Sequence, residues 1–525
     1  MMYHKQKPIL VDNGAAYLSN LDIAGRRTSI LFILFLLLVG FAAATAYIPC
    51  QGKSNPAVFI PQLLCVFAIL LVWGGRKYLA LPPKNILSPD VIFVSMFCVF
   101  HFGYIAFYAF HLAEWDNEVF WDPEKTLKAV LFCIWCLILF LIGYELPGNR
   151  YSRKPIDSQI TPCSRSCLLA GKVFIVVTIL FFWGTLFASG IRNLLSDYQL
   201  LIKVGGLTSW GRFFWVAHDL GVIGIVFYCT SSAILYRKTM SGILFFCLSW
   251  FYMFSILLLG DRGGFIQVAI IPIVVFHYFQ RKIKFSWILG IGLILFFIMT
   301  VIGITRNLAV LDAKRIAQEY RYVQQVEQVN PITRAFLEFG SSIKTVDIAM
   351  TLVPEQHPYW YGKSYVDGLF LLIPNIIPGF IRTQEQSIGA WVTETAFGSL
   401  QSTHGRGGSI AMEAYLNFGF IGGAVFFVFL GYGYRVLYER VLCKPTFLRI
   451  AVFLGFTAGL ALWMRNTANV FYRPFVWTFL AAWIIYSFQK SMPYEIFYSE
   501  MEGESTEQLD SKTSGVLSGD SYEMI

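Results

Sequence analysis

The sequence predicts an all-α, polytopic integral membrane protein with about twelve transmembrane helices and one large periplasmic loop. Three observations carry this. Of 525 residues, 56% are hydrophobic and only 14% charged, which inverts the polar balance a soluble protein of this size needs at its surface. The apolar residues gather into acid-free runs of about 18 to 25, and one such run crosses the hydrocarbon. Basic clusters then recur at alternate connections between the runs.

The first span, 29–47, reads SILFILFLLLVGFAAATAY. Ala44-Thr45-Ala46 resembles a signal-peptide cleavage site, but the run exceeds a signal core, and Arg26 and Arg27 precede it as for an uncleaved first span. Further spans are expected at 56–73, 90–110, 126–144, 168–189, 213–235, 241–259, 264–279 and 285–304, and a final set at 409–434, 446–464 and 474–488. The connections bearing Arg76, Lys77 and Lys84, then Arg150, Arg153, Lys154 and Arg165, Arg237 and Lys238, Arg281, Lys282 and Lys284, Arg435, Arg440 and Lys444, and Lys490 read as cytoplasmic, with both termini. The expected organisation is therefore nine spans in 1–304, a periplasmic loop over 305–408, three spans in 409–490 and an acidic, disordered cytoplasmic tail over 491–525.

The loop opens with AKRIAQEYRYVQQVEQV, where Ile316, Tyr320 and Val323 recur at helical spacing and predict an amphipathic helix. It continues through PYWYGKSYVDGLFLLIPNIIPGFIR, a run that Pro and Gly interrupt too often to span, so a re-entrant or interfacial segment is expected. Cys133 and Cys136 form a C-x-x-C inside an apolar run with no further ligands nearby in sequence, which reads as packing. The net charge of +9 points to membrane topology and to lipid or phosphate, and nucleic acid is not expected as a partner.

Outward arginines are the informative residues, because the positive-inside bias depletes them from that face. Arg262, Arg306, Arg382, Arg406, Arg465 and Arg473 stand there. A guanidinium is always charged and presents a planar fork of donors matched to phosphate oxygens, so converging arginines form a clamp for a diphosphate. Snorkelling to the interface, or pairing of Arg262 with Asp261, is the competing use.

A second constellation, STHGRGGSIAMEAYLNFGFIGG over 402–423, runs a glycine-rich stretch into a span. Glu413 and Asn417 share a face there, and a carboxylate in the first turn is a candidate general base, with His404 as the second candidate. An interfacial ion pair is the alternative role for Glu413. His357 is the other histidine of the loop. Tyr359, Trp360 and Tyr361 in tandem offer a platform against sugar faces, beside an interface-belt role. No metal-ligand spacing and no acidic nucleotide-sugar site is visible, so neither metal nor cofactor is expected.

With these residues in view, the chain resembles the Wzy-type oligosaccharide repeat-unit polymerases of O-antigen and exopolysaccharide synthesis. The likeness covers most of the chain and rests on the many-span layout with a late outer loop, and on GDRGG after a span, TRN at 305–307, EFGSSIKT at 338–345, YGKSYVDGLFLLIPN at 361–375 and GSIAMEAYLNFGFIGG at 408–423. The resemblance implies a GT-C-like polymerase/ligase architecture and a metal-independent glycosyl transfer at the periplasmic face of the inner membrane. It further implies undecaprenyl-diphosphate-linked glycan as both donor and acceptor, and a chain-length-regulating membrane protein as a partner class. On this reading Arg262, Arg306, Arg465 and Arg473 stabilise the leaving diphosphate, Arg382 or Arg406 holds the second one, and Glu413 or His404 takes the acceptor proton. An O-antigen ligase, which passes the glycan to lipid A core, and a repeat-unit flippase or other transporter are the rivals. Transporters keep loops short and show paired halves, neither of which is seen here.

Overall fold

Within hydrocarbon a backbone N–H finds no partner but the carbonyl one turn back, so each long apolar run is held as helix. The computed structural model describes residues 14–51, 55–78, 87–113, 123–147, 164–188, 209–235, 240–258, 261–305, 331–370, 372–373, 388–397 and 407–491, and no strand occurs among them. In chain order the helices are α1 (Gly14–Tyr47), α2 (Ile60–Tyr78), α3 (Pro89–Ala109), α4 (Pro123–Glu145), α5 (Ser164–Ala188), α6 (Ser209–Leu235), α7 (Met240–Leu258), α8 (Arg262–Val275) and α9 (Phe285–Thr305). The loop region contributes α10 (Pro331–Gly340), α11 (Ser342–Leu352), α12 (Lys363–Phe370) and α13 (Ile388–Phe397), followed by α14 (Ile410–Cys443), α15 (Phe447–Trp463) and α16 (Asn469–Ser491).

Every stretch expected to span coincides with a helix. Seven of the described helices are long and apolar enough to cross a membrane: α1 from Thr28, α2 with the 3-10 turn before it, α3, α4, α5, α8 with the π turn after it, and α14. Shorter apolar segments form α6, α7, α9 and α15. Leu31, Leu38, Leu64 and Leu180 are exposed on α1, α2 and α5, as side chains facing lipid are. Cys133 and Cys136 are fully buried free thiols in α4, the most enclosed candidate span.

The bundle pairs α5 with α6, α4 with α14, and α15 with α16, while α8 packs on α15 and α6. Part of the loop region is drawn into this core. Apart from Thr351, every residue of α11 is buried, polar ones included, and α11 lies against α3 and α4. Thr126 of α4 donates to Asp347 at 2.7 Å, and the Lys344 ammonium lies over the Tyr104 ring at 4.3 Å. Polar groups in such an interior stay because they are matched.

At one end of the bundle, buried and half-buried charges pair between helices and along one of them. Lys77 donates to Asp90 at 2.7 Å, and the Trp73 indole donates to the same carboxylate at 3.0 Å. Arg76 pairs with Glu145 at 3.2 Å and Arg435 with Glu439 at 2.6 Å. Arg435 also donates to the Tyr144 hydroxyl at 3.3 Å, so these contacts tie together the ends of α2, α3, α4 and α14 that carry the basic clusters.

Candidate functional site at the opposite end of the bundle

The site is assembled where α14 begins, because the chain on both sides of α15 returns to that point. Ser409 caps α14, its hydroxyl accepting the Met412 N–H at 3.1 Å. One turn later Glu413 is fully buried, and its carboxylate binds two other segments. Oε1 accepts the Ser364 hydroxyl of α12 at 2.8 Å, while Oε2 accepts the Trp463 indole at 2.8 Å and the Ala468 N–H at 2.6 Å. Trp463 and Ala468 flank the short turn between α15 and α16, and that turn presents Arg465. Glu413 therefore forms no ion pair with any described residue; it fastens the Arg465 turn to the start of α14.

Asn417 continues the fastening. Its side chain donates to the Ser364 hydroxyl at 2.7 Å and accepts the Gly362 N–H at 2.9 Å. Trp360 and Tyr361 donate their N–H groups to the carbonyls of Leu416 and Asn417 at 2.9 and 3.0 Å. Those bonds depend on a break in α14 at Gly419, whose φ of 68° lies in the left-handed region that glycine adopts without penalty. A side chain at Gly419 would also meet the Tyr359 ring, at 3.1 Å.

The tandem aromatics thus divide. Tyr359 is tucked against Gly419 and Tyr415, and Trp360 lies edge-on to Trp391, whereas Tyr361 is 79% exposed. His357 packs its ring on the same Trp391.

Arg262 opens α8, where Asp261 spends its carboxylate as the helix cap, accepting the Gly264 N–H at 2.9 Å. The expected alternative pairing of Arg262 with Asp261 is not the one seen. Arg262 instead forks onto Glu338 of α10, with Nη1 donating to Oε2 at 3.1 Å and Nη2 paired with Oε1. Arg465 approaches the same Oε1 at 3.8 Å. Both guanidiniums also stand over the Phe339 ring, Arg262 at 5.6 Å and Arg465 at 6.0 Å from its centroid. Two of the arginines singled out in sequence, far apart along the chain, are brought to one carboxylate and one aromatic face.

The carboxylate is set on a firm support. Gly340, at the end of α10, meets the backbone of α3 at Tyr104 so closely that no side chain would fit. Phe336 and Phe339 pack on Phe296 of α9.

Arg473 makes a separate pair, with Asp219 of α6 at 3.2 Å. His218, next to Asp219, joins the Tyr252 hydroxyl and the Gln267 side-chain oxygen, each at 3.0 Å, and its ring contacts Gly264. The second arginine pair is thereby linked to the first through the opening turn of α8. Glu338, Phe339, His218 and Asp219 were not among the residues singled out by sequence. Arg306, Arg382, Arg406 and His404, the amphipathic stretch before 330 and the acidic tail lie outside the described residues. No cluster of three His, Cys, Asp or Glu side chains suited to a metal occurs among the described residues.

Residues 29–493 match the family model described as O-antigen polysaccharide polymerase Wzy. No curated protein and no solved structure gives a significant match.

Proposed function

The chain belongs to the O-antigen polysaccharide polymerase Wzy family and polymerises lipid-linked O-antigen repeat units, and we propose that it does so with Arg262 and Arg465 on the leaving diphosphate. The observation that carries the assignment is their convergence on Glu338 and the Phe339 ring, an arrangement that already accommodates an oxyanion between two forked donors.

A hydroxyl of the lipid-linked acceptor attacks the anomeric carbon of the lipid-linked donor chain. The bond from that carbon to phosphate oxygen breaks, and the lipid diphosphate departs with the bonding electron pair. Negative charge grows on the departing oxygen, where fixed guanidiniums stabilise the transition state more than the ground state. Arg473, on the neighbouring α6 and α16 pair, supports the same diphosphate, and Arg306 belongs with this group. Arg382 and Arg406 are assigned to the second lipid diphosphate.

Glu413 is better read as a positioning residue than as the base, since both its oxygens are engaged and it holds the Arg465 turn in place. The acceptor proton is assigned to His404. Tyr361 lines the path proposed for the glycan, and the buried Asn417, singled out for the same path in sequence, serves it by holding the backbone at Gly362.

The end of the bundle that carries Arg76, Lys77, Arg435 and Arg440 is assigned to the cytoplasm by its basic connections, and this supports a position for Arg262, Glu338 and Arg465 at the periplasmic face of the inner membrane. Undecaprenyl diphosphate is the proposed carrier, with no metal required because arginines supply the positive charge; a chain-length-regulating membrane protein is the proposed partner. Purified protein incubated with a synthetic lipid-diphosphate repeat unit should give a ladder of products, unaltered by a chelator. Absence of a ladder, or a ladder that persists at wild-type yield in Arg262→Ala and Arg465→Ala, refutes the assignment.

A further inference from the structure

A pair of arginines at a membrane surface faces a competitor. Phospholipid headgroups carry phosphate too, and they far outnumber any lipid-linked glycan. The geometry points to Glu338 as the residue that resolves this competition, and we propose that its carboxylate occupies the diphosphate position between Arg262 and Arg465, admitting lipid diphosphates and refusing singly charged headgroups. The inference rests on the reading of Arg262 and Arg465 as the diphosphate site.

The carboxylate accepts both Nη atoms of Arg262 in the forked geometry that phosphate oxygens use, and Arg465 addresses one of the same oxygens. It is carried by α10, whose last residue is locked on α3 and whose aromatic residues pack on α9. An anion on such a support is present at a high effective concentration. A phosphodiester with one charge gains no Coulomb energy over the carboxylate it replaces, and it lacks that tether. A diphosphate brings more charge to the same two cations, and its gain grows in proportion. The Glu338 side chain is 29% exposed, so it has room to turn outward when displaced. The exchange makes and breaks ion pairs only.

The proposal is tested with the full-length protein in nanodiscs of phosphatidylcholine alone or of equal parts phosphatidylcholine and phosphatidylglycerol. The readout for each variant is the ratio of kcat/KM between the two bilayers, with a synthetic lipid-diphosphate repeat unit as substrate. Wild type and Glu338→Asp are expected to give a ratio near one. Glu338→Gln is expected to lose about tenfold in the phosphatidylglycerol bilayer, mostly as a rise in KM, equivalent to about 1.4 kcal/mol. Binding of inorganic pyrophosphate to the same nanodiscs reads the site without turnover. In phosphatidylcholine Glu338→Gln is expected to bind it about tenfold more tightly than wild type, and this gain should vanish when phosphatidylglycerol is present. A Gln variant that binds pyrophosphate no more tightly, or shows the same lipid ratio as wild type, overturns the proposal. Arg465→Ala separates the premise from the inference. Undiminished pyrophosphate binding in that variant removes the diphosphate site itself, whereas diminished binding with an unresponsive Glu338→Gln removes only the role of the carboxylate.

Discussion

The two ends of the bundle use the same residue types to opposite purpose. At the end with the basic connections, Lys77 meets Asp90, Arg76 meets Glu145 and Arg435 meets Glu439, with Asp90 almost wholly buried at 1% exposure. At the other end two guanidiniums share the partly exposed carboxylate of Glu338. A cation matched to its own buried anion secures helices and is costly to disturb. A carboxylate held jointly at the surface can be exchanged for a ligand. The difference teaches that partner geometry and access, more than the presence of arginine, separate a structural charge from a functional one.

The comparison breaks most visibly at the first end. Asp90→Ala leaves Lys77 buried without its carboxylate and should destabilise the protein by about 3–5 kcal/mol, read as loss of folded protein in detergent size-exclusion and thermal melts. Replacing Lys77 and Asp90 together by Met and Leu should recover most of that loss. If Asp90→Ala melts like wild type while Arg262→Ala unfolds, the two ends have been assigned the wrong way round.

Next in size is Arg465→Ala. Loss of one preformed donor to a developing oxyanion costs about 10²–10³ in kcat, or about 2.7–4 kcal/mol. The expected result is disappearance of long polymer with melting temperature and membrane insertion preserved. Arg465→Lys should recover little, since an ammonium keeps the charge but lacks the fork.

Glu413→Gln sharpens the contrast between holding and reacting. An amide keeps one acceptor oxygen for the Trp463 and Ala468 donors but presents an N–H2 group where Oε1 accepts Ser364, so the turn carrying Arg465 should loosen without the fold being lost. A positioning role predicts a fall in kcat of about tenfold with the pH–rate profile unmoved. A general base predicts a larger fall, about 10²–10⁴, and loss of the acidic limb of that profile, where the base must lose its proton to act.

The apolar helices were plain in the sequence, because an acid-free apolar run has one stable form in lipid, although seven of the described helices, against about twelve spans expected, are long and apolar enough to cross. Arg262, Arg465 and Arg473 drew notice because they fall away from the basic clusters. The sequence did not show which arginines meet. Glu338 opens the EFGSSIKT pattern at 338–345 but carries no assigned role there, and its partners appear only when α10 is laid against α3 beside the start of α8. Lys344 and Asp347 of α11 are complemented by Tyr104 and Thr126 inside the bundle, partners that no spacing within the segment announces. Glu413 was recognisable as special, but its partners come from Ser364, Trp463 and Ala468, which no local spacing connects.

The smallest effect lies within the outer end, among aromatics that are adjacent in sequence and unlike in surroundings. Tyr359 and Trp360 are packed against Tyr415 and Trp391, so their truncation to Ala should lower the melting temperature as any loss of buried aromatic contact does. Tyr361 is exposed, held at a φ of 47° by the pairing of the chain with α14, and its ring meets the Tyr359 ring edge-on at 6.3 Å from the surface side. Replacing it therefore leaves the melt unchanged. If it presents its face to a sugar, Tyr361→Ala raises KM for the lipid-linked repeat unit by roughly two- to tenfold, in line with about 0.5–1.5 kcal/mol for one aromatic face, while kcat is held. Phenylalanine at the same position keeps the face and should keep the affinity. A KM unchanged in the Ala variant would return Tyr361 to the class of interface aromatics and leave the glycan path to be carried by the arginines.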